Sequence, residues 1–379
     1  MQEIYLDHAA TTPVHPEVLE AMLPYYRELH GNPSSMHRFG QRTRHIVDEA
    51  RSVIARCLGA APGEVIFTSG GTEADNMALL GVMEANRDRG KHLITSQIEH
   101  HAVLHTCKRL EAIGYEVTYL PVDETGRVSI EDVEQAIRPD TVLISIMFGN
   151  NEVGTLQHVG KIGKIAQDRG IYFHTDAVQA FGIEDVDVKR LHIDLLSVSA
   201  HKINGPKGIG ALYVRRGIKI EPHLYGGNQE KKRRAGTENV PGIAGFARAA
   251  ELAEETREER RAQYEKLRTV MLDTWKEQGI DYVVNGHPEL YMPHILNVSF
   301  PGMKTDAMLM HLDLAGIAAA SGSACTSGSL EISHVLRAMH LPPERLESAI
   351  RFSFGYGNTV EQVREAAGRI ARILSRKDG

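Results

Sequence analysis

A lysine, an aspartate and two consecutive glycines each follow a short apolar run in this sequence. These residues are Lys202, Asp176, Gly70 and Gly71. A lysine amine can act as a nucleophile, and glycine amides can approach an anion closely. Burying an aspartate at the end of an apolar strand costs free energy unless a cationic group pairs with it. The residue types therefore point to a single binding site for a ligand that carries both signs of charge.

The two glycines precede Thr72 where the pattern predicts the start of a helix. A helix N-terminus adds the positive end of its dipole to the glycine amides, and together they bind anions. The alternative is a plain capping box formed by Thr72 and Asp75, which explains the threonine but not the glycines. The spacing matches neither a Walker A loop nor a dinucleotide fingerprint, so it favours a different phosphate-binding turn.

Histidine and amide side chains follow two further runs of the same kind. His100 and His101 come after residues 92–95, and Asn151 comes after residues 142–147. Paired histidines are common metal ligands, but adjacent side chains point apart and no third ligand stands nearby in the sequence. We therefore expect one functional histidine and no metal.

Pyridoxal phosphate is the cofactor that requires this whole set. It needs a lysine for a Schiff base, a carboxylate against its pyridinium nitrogen, an anion site and a flat group over its ring. Lys202 fits because it follows a buried strand in the company of these groups, whereas Lys207 is interpreted as a surface turn residue. The carboxylate would keep the ring nitrogen protonated, so that the ring can hold the electron pair left when a bond to Cα breaks.

One of the cysteines does not belong to a helical pattern of apolar residues. The chain has three cysteines, and Cys57 and Cys107 lie at helical spacing from aliphatic residues, which is typical of core positions. Cys325 lies among Ala, Ser, Gly and Thr, which predicts a mobile loop that presents a thiol. The alternative is an ordinary loop thiol. The wide spacing argues against a disulfide framework and a zinc knuckle.

Apolar runs that alternate with helical stretches indicate the fold class. The predicted strands are residues 65–67, 92–95, 117–120, 142–147, 171–174 and 195–198. Such a pattern predicts an α/β fold with a mostly parallel sheet, whose ligands gather at the carboxyl ends of the strands. An amphipathic segment over 244–279 leads to a smaller α+β unit. We predict a large domain over 15–255 and a small domain over 1–14 and 256–379, which carries the Cys325 loop.

Composition excludes several classes of function. The 379 residues carry a formal net charge of −6, which does not suggest nucleic-acid binding by the whole chain. The basic run at residues 231–234 is interpreted as a solvated loop or the charged rim of a site. The first residues lack the pattern of a signal peptide, and no apolar run approaches the length of a membrane span. We expect a cytoplasmic protein with no membrane or nucleic-acid partner.

Five longer motifs occur along the chain. They are Tyr-Leu-Asp-His-Ala-Ala-Thr-Thr-Pro at 5–13, Gly-Asn-Pro-Ser-Ser-Met-His at 31–37, Ser-Ala-His-Lys at 199–202, Arg-Ala-Gly-Thr-Glu-Asn at 234–239 and Ser-Gly-Ser-Ala-Cys at 321–325. In this order they resemble the motifs of the cysteine desulfurases of the iron–sulfur-cluster and nitrogen-fixation type, within the fold type I pyridoxal-phosphate enzymes. The match extends to about Gly355.

The resemblance implies a role for each matching residue. Lys202 would carry the cofactor, His100 would stack on its ring and assist proton transfer, and Asp176 would pair with the ring nitrogen. The other cofactor-binding residues would be Gly71, Thr72, Asn151, Gln179, Ser199, Ala200, His201 and, from a second subunit, Thr237. Gln179 would contact the ring hydroxyl, and the others would lie mainly at the phosphate. The contribution of Thr237 implies a homodimer.

The resemblance also implies a substrate and a reaction. Asn151 and Arg351 would bind L-cysteine, with Arg351 holding the α-carboxylate in a bidentate fork. An arginine that faces solvent on a short alternating strand is the alternative for Arg351. Sulfur would leave the substrate as a persulfide on Cys325, with L-alanine as the other product. An acceptor protein, either an iron–sulfur scaffold or a tRNA-thiolating enzyme, would then receive the sulfur.

Two other classes of protein share part of this pattern. Another fold type I enzyme, such as an aminotransferase, a selenocysteine lyase or a kynureninase-like hydrolase, needs Lys202 and Asp176 but not Cys325. A silent sulfur carrier or scaffold would keep the fold and bind no cofactor. One departure from the family pattern is Asn228, which stands where a third glycine is common. It affects the detail of that loop more than the chemistry.

Overall fold

Strands and helices alternate along most of the chain, as the apolar runs predict. The computed structural model describes residues 2–322 and 332–375. The strands are β1 (Ile4–Tyr5), β2 (Val65–Thr68), β3 (His92–Ser96), β4 (Glu116–Leu120), β5 (Thr141–Ser145), β6 (Tyr172–Asp176), β7 (Leu195–Ser199), β8 (Gly210–Val214), β9 (Val283–Asn285), β10 (Ile295–Ser299), β11 (Ile317–Ala318) and β12 (Ala349–Ser353). All six predicted runs are strands.

The helices cover the faces of the sheets. They are α1 (Pro16–Arg27), α2 (Arg38–Cys57), α3 (Gly71–Ala85), α4 (His101–Ala112), α5 (Ile130–Ala136), α6 (Val159–Asp168), α7 (Val240–Glu255), α8 (Arg257–Glu277), α9 (Thr305–Leu314), α10 (His334–Ala338), α11 (Pro343–Leu346) and α12 (Val360–Ser375). Among the helices of the described ranges, none combines the length and the apolar character that crossing a membrane requires.

The main sheet is mixed and mostly parallel, which confirms the predicted fold class. Within the described residues it has seven strands in the order β2-β8-β7-β6-β5-β3-β4. Strand β8 runs antiparallel to both of its neighbours, and the remaining pairs are parallel. The sequence analysis did not predict β8. The carboxyl ends of β3, β5, β6 and β7 lie at one edge, where the chemistry-bearing residues follow.

Side chains that alternate along these strands build two separate cores. Ile66, Leu93 and Leu195 pack with α3 and α4 on one face. The residues next to them, including Phe67 and Ile94, pack with α1, α2, α6 and α7 on the other face. A parallel sheet covered by helices on both faces is expected to have continuous apolar strands of this kind.

A second unit follows the main sheet in the chain. Strands β12, β10 and β9 form an antiparallel sheet, and β1 pairs with β11 in parallel. Their core contains the fully buried Trp275 with residues of α8, α9 and α12. This α+β arrangement agrees with the predicted one, while the residue boundaries proposed for the two domains stay a prediction.

Local predictions had mixed outcomes. The pair Thr359 and Gln362 has the pattern of a capping box before α12, and the structure forms it: Gln362 N donates to Thr359 Oγ1 and Thr359 N donates to Gln362 Oε1, both at 3.2 Å. The amphipathic segment over 244–279 is two helices, α7 and α8, which meet at Thr256. Cys107 is fully buried, as predicted, whereas Cys57 is only partly buried against the core.

Candidate active site

A cavity of about 360 Å³ opens at the carboxyl edge of the main sheet. It brings together most of the predicted site residues: Gly71, Thr72, His100, Asn151, Asp176, Gln179, Ser199, His201, Lys202 and Arg351. Three predicted residues are not in its lining. Ala200 is completely buried, Thr237 is exposed, and Cys325 lies outside the described residues. Gly322, three positions before Cys325 in the chain, does line the cavity.

Lys202 ends a single helical turn, Ala200–Lys202, that directly follows β7. Its Nζ donates to the carbonyl oxygens of Ala9 at 2.5 Å and Ala10 at 2.8 Å. Both carbonyls also line the cavity, so the amine lies at the cavity wall and not in bulk solvent. The exposed Lys207 lies outside the lining, as expected for a turn residue.

His100 caps the N-terminus of α4 and presents a neutral ring. Its Nδ1 accepts a hydrogen bond from Ala102 N at 3.1 Å, so the proton of the neutral imidazole resides on Nε2. Burial, followed by the nearby Lys202 cation and neighbouring histidines, lowers the pKa of His100 to about 4. The ring is therefore uncharged at neutral pH and can lie flat against a cationic or aromatic group.

Two buried carboxylates lie beside this histidine. Asp176 is the last residue of β6, and its Oδ1 accepts from Val178 N at 2.9 Å. Asp75, on α3, also lines the cavity. Ligand atoms of Asp75, His100 and Asp176 lie within 4.8 Å of one another, a spacing that would also suit a metal ion. Metal analysis of the purified protein would show whether these three residues bind a metal ion or serve the organic ligand expected from the sequence.

The first turn of α3 provides backbone amides without a side-chain cap. The N-cap residue is Gly70, and no side chain makes a capping hydrogen bond there, so the alternative box of Thr72 with Asp75 is wrong. A Cβ on Gly71 would come within 2.7 Å of Val178 Cγ2, which explains the glycine. Uncapped amides at a helix N-terminus form an anion site. Ser199 and His201 line the cavity with this turn.

Arg351 is buried, and the alternative of a solvent-facing arginine is wrong. It is 3% exposed, with Nη2 donating to Asp7 Oδ1 at 2.9 Å and Nη1 to Asn151 O at 2.8 Å. Its Nε has no hydrogen-bond partner within the described residues. A guanidinium has five N–H donors and these two contacts use two of them, so Nε and a terminal nitrogen can still bind a carboxylate.

Gln179 shares a partner with Lys202. Its Nε2 donates to Ala9 O at 2.9 Å, and its Oε1 lies 3.4 Å from His294 Nε2. The N-terminal segment around Ala9 is therefore a wall of the site. The motif at 5–13 contributed to the family resemblance, but no role was predicted for it from the sequence.

The loop that carries Thr237 is attached to the anion-binding turn. Arg234 Nε donates to Glu73 Oε1 at 2.8 Å, and Glu73 lies in the first turn of α3. Glu230 is held by Arg51 through two contacts of 2.6 Å. Arg234, the last residue of the basic run at 231–234, is therefore tied to the first turn of α3, and the interpretation of the run as a charged rim stays a prediction.

Glu152 is a buried carboxylate that sequence reasoning missed. Ser333 Oγ donates to its Oε2 at 2.5 Å. A Cβ on Gly322 would lie 2.5 Å from the same oxygen. Glu152 therefore contacts the described chain on both sides of residues 323–331. No local pattern marks it, because its neighbours come from distant parts of the sequence.

Comparison with known proteins identifies the family. A family model described as "Aminotransferase class-V" matches residues 4–365. The chain belongs to the class-V aminotransferases. The "Putative cysteine desulfurase IscS 1" of Bacillus subtilis (strain 168) is 54% identical over 377 residues, which cover 99% of this chain and 100% of the relative. This confirms the resemblance to the cysteine desulfurases that the motifs indicate.

Two solved structures with similar folds support the assignment to this family. A "NifS-like protein" superposes with a TM-score of 0.93 at 39% identity, covering 99% of this chain and 100% of the other. A structure titled "SspA in complex with cysteine" has a TM-score of 0.83 at 37% identity, covering 93% of this chain and 99% of the other. The first of these alignments covers 99% of the chain and so extends over all three sheets of the described residues.

Proposed function

We propose that this protein is a pyridoxal-phosphate-dependent cysteine desulfurase that converts L-cysteine to L-alanine and places the sulfur on Cys325. One observation carries the proposal: a lysine amine, a carboxylate and an uncapped helix N-terminus line the same cavity. The relatives named cysteine desulfurases and the cysteine complex of a solved relative support the choice of substrate.

The chemistry of the cavity residues fits pyridoxal phosphate. Lys202 would hold the cofactor covalently, Asp176 would face its ring nitrogen, and the neutral ring of His100 would stack on it. The amides at Gly71 and Thr72 would bind the phosphate with Ser199 and His201, which explains why no side chain caps α3. Burial raises the pKa of Asp176 to about 6, while Val178 N and the Lys202 cation oppose that increase. A cationic ring nitrogen would act in the same direction as Lys202.

The residues of the chain have distinct tasks in the proposed reaction. When bound, the cofactor supplies an acceptor for the electron pair left at the substrate Cα. Arg351 and Asn151 hold the substrate α-carboxylate and orient the Cα–H bond. Lys202 Nζ takes the proton from Cα and returns a proton, and the Ala9 and Ala10 carbonyls hold the amine at the cavity wall.

Cys325 is the proposed sulfur acceptor. Its thiolate attacks the substrate sulfur, so that an S–S bond forms, the Cβ–S bond breaks, and Cβ gains a proton to give alanine. The enzyme thiol and cysteine thus become an enzyme persulfide and alanine, with no external oxidant. A thiol with an ordinary pKa of about 8.5 is mostly protonated at neutral pH, so a nearby base must assist.

Replacement of Cys325 by serine tests this function. We expect Cys325→Ser to lose at least about a hundredfold in sulfide release from L-cysteine, because the oxygen nucleophile cannot form a persulfide. The partly buried Cys57 supplies the matched control, and Cys57→Ser is expected to keep near wild-type activity. Sulfide release by Cys325→Ser at the wild-type rate would favour another fold type I enzyme. Failure of the wild-type protein to take up the cofactor would favour a silent carrier.

We further propose a homodimer that passes the persulfide sulfur to an acceptor protein. The exposed Thr237, on a loop tied to α3 through Arg234, would reach the phosphate bound by a second subunit. Light scattering checks the dimer, and a fully active monomer would contradict it. Labelled sulfur followed from the persulfide to an iron–sulfur scaffold or a tRNA-thiolating enzyme would identify the acceptor. We also propose a cytoplasmic location, which fractionation of cells would test.

A further inference from the structure

Asp75 is a buried carboxylate for which the proposed reaction has no assigned use. It is 1% exposed, and the neighbouring Asp176 is 7% exposed. Oxygens of the two side chains lie within 4.8 Å of each other, and Asp75 lines the cavity. Two negative charges at this spacing, both removed from water, repel each other strongly. This repulsion favours a state in which one of the two carboxylates is protonated.

Among the described residues, the surroundings of the pair provide a single cation. Ser197 contacts Asp75, and Asp75 Oδ1 lies 3.6 Å from His174 Nε2. The titratable groups that face the pair are His174 on β6, Glu99 and His100 after β3, and Lys202 after β7. Burial lowers the pKa of His174 to about 3 and raises that of Glu99 to about 8, so both are uncharged at neutral pH. Only Lys202 among these groups can balance a negative charge.

The two carboxylates are not equivalent. Asp176 Oδ1 accepts from Val178 N at 2.9 Å, and Asp176 also feels the Lys202 cation. Asp75 Oδ1 has no hydrogen-bond partner within the described residues. Burial, with the charge of Asp176 next, raises the pKa of Asp75 well above its ordinary value. The negative charge is therefore better stabilised on Asp176 than on Asp75.

We propose that Asp75 is a positioning residue that remains a neutral carboxylic acid and donates a hydrogen bond to the Asp176 carboxylate. This bond keeps Asp176 as the single anion of the pair and fixes the orientation of its other oxygen. The role in cofactor binding rests on the proposed function, because Asp176 would face the ring nitrogen of pyridoxal phosphate. The proton on Asp75 is a property of the chain alone.

The first measurement is the affinity of the apo protein for pyridoxal phosphate. We expect Asp75→Asn to bind within about threefold of wild type, since a neutral amide also donates to Asp176, and Asp75→Ala to bind at least about tenfold more weakly. Asp194→Asn serves as a control: Asp194 pairs with Arg215 outside the cavity, so its replacement is expected to leave the affinity unchanged. Equal losses for Asp75→Asn and Asp75→Ala would overturn the proposed role.

The second measurement is the unfolding temperature of the apo protein between pH 5 and pH 8. The folded state keeps a proton on Asp75 that the unfolded chain releases above about pH 4, so wild type loses stability as pH rises through this range. Asp75→Asn removes that loss and is expected to unfold at a higher temperature than wild type at pH 8, with a smaller difference at pH 5. If the difference in unfolding temperature between Asp75→Asn and wild type did not depend on pH, the proposed protonation of Asp75 would be wrong.

The two measurements separate the two proposals. If wild-type apo protein binds no pyridoxal phosphate, the proposed function fails, and the pH dependence of unfolding still decides the protonation of Asp75. If wild type binds the cofactor and Asp75→Asn matches Asp75→Ala, only the positioning role fails.

Discussion

Arg351 illustrates how a single buried side chain can prepare a substrate site. Burying a guanidinium is costly unless its donors are paired. Asp7 and the Asn151 carbonyl pair with the two terminal nitrogens, while Nε has no partner in the described part of the chain. The residue is therefore stabilised in place and still has a donor for an incoming carboxylate.

Replacement of Arg351 by lysine should separate binding from chemistry. We expect Arg351→Lys to raise the KM for L-cysteine at least about tenfold with a smaller change in kcat, because an ammonium cannot form the two parallel hydrogen bonds of a guanidinium. Steady-state kinetics checks this result. Arg369 offers a matched control, since it is also buried but binds Gln2 O and Ala315 O away from the cavity. A KM for Arg351→Lys equal to that of Arg369→Lys would contradict the assigned role.

At the scale of elements, the site depends on how closely α3 approaches the end of β6. Gly71 begins α3 and packs against Val178, two residues after the end of β6. This close contact places the uncapped amides of α3 in the same cavity as Asp176. Any side chain at position 71 must push the two elements apart.

Two glycine replacements test the packing of α3. We expect Gly71→Ala to reduce affinity for pyridoxal phosphate about tenfold and to lower the free energy of unfolding by about 1–3 kcal/mol, since the new methyl group overpacks the contact. Gly368 in α12 has open space around it. Gly368→Ala should therefore raise the free energy of unfolding by about 0.5–1 kcal/mol. Urea unfolding and cofactor titration measure both effects, and a Gly71→Ala protein with wild-type affinity would count against the phosphate site.

Elements with continuous apolar character were predictable, and those defined by distant pairing were not. Five of the six predicted strands are almost entirely buried, whereas the edge strand β4 is largely not. Asp176 ends β6, and Lys202 ends the turn that follows β7. Strand β8, Gly-Ala-Leu-Tyr-Val, is also apolar and fully buried, but it follows a glycine-rich turn and pairs antiparallel with both of its neighbours, and it was not predicted. The role of Asp75 was hidden because its sequence position favours a helix cap, whereas its partner Asp176 lies on another element.

At the scale of the whole molecule, the N-terminal segment connects the two sheets through the site. Strand β1 pairs with β11, and Ala9 N donates to Ser353 Oγ at the end of β12. The Ala9 carbonyl accepts from Lys202 and Gln179 of the main sheet. These contacts span more than a hundred residues of sequence, so spacing along the chain could not predict them. The resemblance to a family marked the segment without explaining it.

The central claim is that pyridoxal phosphate is held by the amine of Lys202 at the carboxyl edge of the main sheet. The most direct test is to load the protein with the cofactor, reduce the lysine linkage with borohydride and map the modified peptide by mass spectrometry. The account predicts one pyridoxyl group per chain, on Lys202, and none in a Lys202→Ala variant. A label on Lys207 or another lysine, or no label on the wild-type protein, would contradict it.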